Sequence, residues 1–150
     1  MNDKEIVLFT EAVQLAKDEF FIDAINKFDQ LILSFPDSEL CDDAYYNKGL
    51  CYFKSGQFEK AKEQFYIVIN DYPQSTISVL SGNNEFGKTP TKCAYAIINC
   101  YLATGNLNET QALMNMLEND KETYVLRDDE KVSFYDLSKN LINNYKEANK

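Results

Sequence analysis

Histidine and tryptophan are absent from this chain, and arginine occurs once, as Arg127. The missing histidine removes the commonest general base, the commonest zinc ligand and every Ser-His or Cys-His nucleophile pair. The four cysteines, Cys41, Cys51, Cys93 and Cys100, contain no Cys-x-x-Cys pair. They read as buried free thiols, since no secretory signal points to an oxidising compartment. Three prolines and five glycines leave room for long helices and few tight turns. No segment approaches the roughly 18–20 apolar residues of a membrane span. The opening MNDKEIVLFTEA has neither a basic region before an apolar run nor a cleavage site, so the expected location is cytoplasmic. Basic residues are scarce as well, 15 against 24 acidic ones, for a net charge of −9. Without a basic patch or arginine forks, neither nucleic acid nor an anionic membrane surface is an expected partner. No metal cluster or catalytic set is visible, and no cofactor is expected.

What the chain does have is helical periodicity. Asn2 and Glu5 are placed to form a capping box. The helix they open is expected to reach about Lys17, with apolar residues on two sides, as in a helix packed from both directions. Phe21, Ala24, Phe28, Leu31 and Phe35 then fall at steps of three and four, a single helical stripe stopped by Pro36. The same series returns 37 positions later as Phe58, Ala61, Phe65, Val68, Tyr72 and Pro73, which makes it an internal repeat. The partner helix of this second unit is read from about Glu39 to Lys54, ending at Gly56.

A degenerate third unit follows at an offset of 49, where Cys100-Tyr101, Thr104-Gly105 and Leu107 stand for Cys51-Tyr52, Ser55-Gly56 and Phe58. Thr89 and Pro90 would open its first helix. The units thus span about 3–36, 39–73 and 90–121, with an insert loop at about 74–89 and a terminal helix at about 129–148. That last helix carries Phe134, Leu137, Leu141, Tyr145 and Ala148 on one stripe and polar residues elsewhere, as a cap on a stack requires. The paired acids Asp42-Asp43 and Asp128-Asp129 read as helix-start charges favoured by the dipole.

Asp43 to Pro73 resembles a tetratricopeptide repeat, whose slots W-x2-L-G-x2-Y, A-x3-F and P are filled by Tyr45, Lys48, Gly49, Tyr52, Ala61, Phe65 and Pro73. Lys48 in the leucine slot is the clear departure. The first unit matches less fully through Leu8, Glu11, Ala12, Leu15, Ala24, Phe28 and Pro36. The resemblance implies an all-α fold of antiparallel helical hairpins stacked as a short superhelix with a C-terminal capping helix. Gly49 inside a helix costs about 1 kcal/mol relative to alanine, which makes sense where another backbone passes close by. Ala12 and Ala61 are small for the same reason.

The resemblance also implies that the first helix of each pair lines a concave groove. Its residues would be Phe9 and Val13, then Tyr46, Asn47, Leu50 and Phe53, then Tyr95, Asn99 and Leu102. Such a surface is aromatic and aliphatic with few charges, suited to a helix or extended peptide of another protein. It lacks the Lys, Arg and Asn set with which some arrays grip a C-terminal carboxylate. The alternative for this stripe is ordinary core, covered by the terminal helix.

A rival to the adaptor reading is an acidic immunity or antitoxin-type inhibitor of a basic partner protein. Gly82-Asn83-Asn84-Glu85-Phe86-Gly87-Lys88-Thr89 also matches the G-x4-G-K-T phosphate-binding loop, through Gly82, Gly87, Lys88 and Thr89. That loop needs a parallel sheet to present it and an Asp-ended strand to hold magnesium. The flanking helices leave no chain for either, and Glu85 would set a negative charge beside the phosphates. The match is therefore read as a surface loop.

Overall fold

The protein is described from a computed structural model covering residues 2–150. Three helical hairpins follow one another: α1 (Asp3–Lys17) with α2 (Phe21–Ser34), α3 (Cys41–Lys54) with α4 (Phe58–Asp71), and α5 (Thr89–Ala103) with α6 (Gln111–Glu118). A terminal helix, α7 (Phe134–Ala148), packs on α5 and α6. The stack of antiparallel hairpins ending in a C-terminal helix is the architecture that the resemblance implies.

Local chemistry places the ends. The Asn2 side chain accepts from the Glu5 amide and the Glu5 carboxylate accepts from the Asn2 amide, closing the capping box. Between the helices of each hairpin one residue is left-handed: Glu19 (φ 66°), Gly56 (φ 78°) and Gly105 (φ 77°). Two of these are glycines, which enter that region freely, whereas Glu19 carries a Cβ there and is strained.

Within the repeat, Ala12, Ala24 and Ala61 are fully buried, and so are Phe9, Phe28 and Phe65. Phe9 and Phe28 meet edge to face at 5.9 Å. The close neighbour of Gly49 is an aromatic ring, not the passing backbone expected from sequence. A Cβ built on Gly49 would lie 2.5–2.8 Å from three atoms of the Phe65 ring. Lys48, the misfit in the leucine slot, buries its stem and pairs with Asp29 of α2 at 2.6 Å, tying the first two hairpins together. Helix α1 packs on α2 and only lightly on α3, so it is covered on one side and Val7 stays exposed.

The region after α4 departs from plain helix. A 3-10 turn at Val79–Ser81 precedes β1 (Glu85–Phe86), and β2 (Tyr124–Arg127) and β3 (Glu130–Ser133) complete a small antiparallel sheet ordered β1-β2-β3. Asp128 and Asp129 are the two central residues of the β2–β3 hairpin, both with positive φ (50° and 64°). They are turn residues, which corrects their reading as helix-start charges: a tight two-residue turn with this twist needs left-handed positions, and Asp tolerates them. Helix α7 accordingly starts at Phe134, after the strand, where the Ser133 hydroxyl accepts from the Asp136 amide.

Candidate functional site

Helices α3 and α5 run side by side, and their facing residues enclose an apolar cleft of about 190 Å³. Tyr46, Leu50 and Phe53 come from α3, and Tyr95, Ala96 and Asn99 from α5. These spacings of three and four put each set on one side of its helix. The seventh wall is Phe65 of α4, whose ring lies against Gly49 and meets Tyr46 at 5.6 Å. A larger hollow of about 520 Å³ along α4 is lined by the charged and amide side chains Glu59, Lys62, Glu63, Asn70 and Asp71 together with Tyr66, Ile67 and Tyr101.

The rings of the cleft are held from behind. Phe53 packs edge-on against Phe58 at 5.3 Å, and Tyr95 against Phe134 of α7 at 5.4 Å. Over Tyr46 stands the Lys92 ammonium, 3.8 Å from the ring centroid and 2.5 Å from the Glu85 carboxylate. Lys92 is only 3% exposed, so this cation belongs to the interior. Burial first, then the Glu85 charge, keeps the Tyr46 phenol protonated well above its ordinary range.

Five of the nine residues predicted for the groove meet in this cleft: Tyr46, Leu50, Phe53, Tyr95 and Asn99. The other four do not line it. Phe9 is fully buried between α1 and α2, and Leu102 is 9% exposed within the core. Val13 packs on the N-terminal core cluster, and half-buried Asn47 holds its amide Nδ2 on the Asp43 carbonyl at 2.8 Å. The reading of Phe9 and Leu102 as groove residues is thereby corrected: a helix wedged between neighbours buries residues on more than one side, and sequence alone does not say which side stays open. Helix α7 covers α5 and α6 and touches the cleft through the Phe134–Tyr95 contact. Phe65 and Lys92 are the contributors that sequence reasoning missed. Gly49 was the signal for Phe65, because a missing side chain on α3 makes room for a ring from α4.

The glycine-rich segment does not form a phosphate cradle. Its Lys88 amide donates to the Thr123 hydroxyl at 2.9 Å and its Thr89 amide to the Ser75 carbonyl at 3.1 Å. The Thr89 hydroxyl, which would bind magnesium in a phosphate-binding loop, donates instead to buried Asp42 at 2.6 Å. Gly87 (φ 120°) presses on Thr123, where a Cβ would come within 2.4 Å of the hydroxyl oxygen. Glu85 leaves the loop to pair with Lys92. Gly82 takes the left-handed end of the 3-10 turn (φ 119°). The motif residues are joints between the insert and the helices.

The acids at the head of α3 join the same network. Asp42 and Asp43 are 3% and 1% exposed, with Asp43 accepting from the Ser78 amide and the Ser81 hydroxyl at 3.2 and 3.3 Å. Burial, then repulsion from Asp42, raises Asp43 to about 7. All four cysteines are buried and free, and burial raises their thiols, Cys51 to about 11 and Cys100 to about 12. Their role is packing.

Residues 43–75 match the family model "Tetratricopeptide repeat". That segment is α3, α4 and the link to Ser75, the best-patterned part of the chain. This segment is similar to a tetratricopeptide repeat, a module that generally serves as a protein–protein interaction scaffold. A comparison with curated proteins finds no match. No described helix is long and apolar enough to cross a membrane.

Proposed function

We propose that the protein is a non-catalytic adaptor that holds a peptide or helix of another protein in the α3/α5 cleft. The observation that carries this reading is the meeting of Tyr46, Leu50, Phe53, Tyr95 and Asn99, from two helices, around one apolar opening. Its size bears on the class of ligand. At about 190 Å³ it falls below the roughly 300–1,000 Å³ of small-molecule sites. A space of this size suits one apolar side chain, the anchor by which a groove takes an amphipathic segment.

The test is affinity capture from the source organism by wild type and by Leu50→Arg, which puts a charged stem into the cleft without removing a ring. Proteins held by wild type and lost from the variant are then purified and titrated against both by calorimetry. Direct binding that weakens at least about tenfold in the variant, with an unchanged melting temperature, supports the adaptor role. A partner that binds both forms equally assigns recognition to another surface.

A further inference from the structure

The chemistry of the cleft narrows its occupant, on the reading that it is a docking site. Aromatic rings make up most of its wall, and neither lysine nor arginine lines it. Ring faces carry the negative end of the aromatic quadrupole and attract cations. One of these rings already does so within the protein, where Lys92 sits 3.8 Å over Tyr46. Because Lys92 is paired with Glu85 and buried, it offers nothing to an incoming carboxylate.

Besides the Tyr46 and Tyr95 hydroxyls the cleft lining holds one amide, and that amide has a fixed sense. Asn99 Nδ2 donates to the Tyr95 carbonyl at 2.9 Å. A carbonyl oxygen can be met only by the NH2 end of an amide, so the other end, Oδ1, is the one left over, and it accepts from none of the described residues. Asn47, on the neighbouring helix, is turned the same way by its bond to the Asp43 carbonyl. Beside the Tyr46 and Tyr95 hydroxyls, which donate or accept, Asn99 thus adds an acceptor to an aromatic lining without lysine or arginine, on a chain of net charge −9. The aromatic lining, the free Asn99 oxygen and the net negative charge of the chain together favour a cation over a carboxylate.

We propose that the cleft captures a basic segment of a partner protein. An aliphatic or aromatic side chain enters among Tyr46, Phe53 and Tyr95, while an adjacent lysine or arginine donates to Asn99 Oδ1 and lies against the ring faces. The net negative charge of the chain favours encounter with such a segment over an acidic one.

Three nearly isosteric probes test this: 2-phenylethylamine, 2-phenylethanol and 3-phenylpropionate, titrated into isotope-labelled protein and followed by NMR at Tyr46, Leu50, Phe53 and Asn99. The amine is expected to bind about tenfold more tightly than the acid, with the alcohol between them. Asn99→Leu should remove most of that preference while leaving the alcohol within about twofold, and Asn99→Asp should widen it. Undisturbed signals elsewhere in the spectrum confirm that both variants fold. If no probe moves the cleft signals, the docking reading itself falls. If the alcohol binds but amine and acid bind alike, or the acid binds best, the cleft is a docking site and the basic partner is overturned.

Discussion

Around Gly49 the chain is held by apolar shape. The Phe65 ring fills the space a side chain would take, Phe9 meets Phe28 edge to face, and alanines stand at the crossings. Around Thr89 it is held by hydrogen bonds. Thr89 donates to Asp42, Asp43 accepts from the 3-10 turn, and Asp120 accepts from both Thr91 and Thr123 at 2.6 Å. Thr123 in turn accepts from the Lys88 amide. Apolar packing is non-directional and scales with area, so the same pattern can be copied from one hairpin to the next. A hydrogen-bond network is directional and specific to its place, and it appears where the repeat breaks and the insert must be fastened.

The largest effect should come from the apolar side. Phe65→Ala is expected to lose about 3–5 kcal/mol in urea unfolding. Gly49→Ala, destabilising in wild type, should cost less in the Phe65→Ala background, because the ring that its Cβ strikes has gone. Additive losses would separate the two residues. On the polar side, Asp120→Ala strips both threonine hydroxyls of their acceptor and should cost about 1–3 kcal/mol. Burial alone would raise the Asp120 carboxyl, and the Thr123 and Thr91 hydroxyls lower it, which marks the charged form as the one they hold.

Next in size is a pH dependence confined to the polar half. Asp43 is raised from 3.8 to about 7, so the folded state binds its proton more tightly than the unfolded chain does. Stability from this group is therefore greatest below about pH 4 and is lost as pH rises to about 7, then stays level. Asp43→Asn should gain at least about 1 kcal/mol over wild type at pH 8, with the two converging near pH 4. Melting curves that stay parallel across this range would show that the acid pair carries no proton. The smallest effect belongs to the hairpin turns, where Glu19→Gly should stabilise by about 0.5–1 kcal/mol in thermal melts, since Gly56 and Gly105 hold the matching positions without strain.

Much of the apolar half could be read from the chain. The stripe through Phe21, Phe28 and Leu31 and its copy through Phe58, Phe65 and Val68 are periodic, and period is what sequence displays. The candidate site was legible in its α3 and α5 members, because residues three and four apart share a helix face. Phe65 was not, since it belongs to α4 and reaches the cleft only through the space at Gly49. Lys92 was not either, because its partners Glu85 and Tyr46 lie on other elements. The hairpin turn at Asp128-Asp129 was hidden by its resemblance to acids at the head of a helix.

The amino-acid order by itself determined that this is a stack of helical hairpins, that one segment has the slots of a tetratricopeptide repeat, and that the interior is free of histidine chemistry. It did so because burial of apolar stripes is decided locally, turn by turn. Tertiary structure alone decided that the cleft opens between α3 and α5 with Phe65 of α4 in its wall, that Phe9 lies in the core, and that Thr89 serves Asp42 instead of a phosphate. Those outcomes depend on distances between groups far apart in the chain, as between Thr89 and Asp42, and on which side of a helix its neighbours leave open.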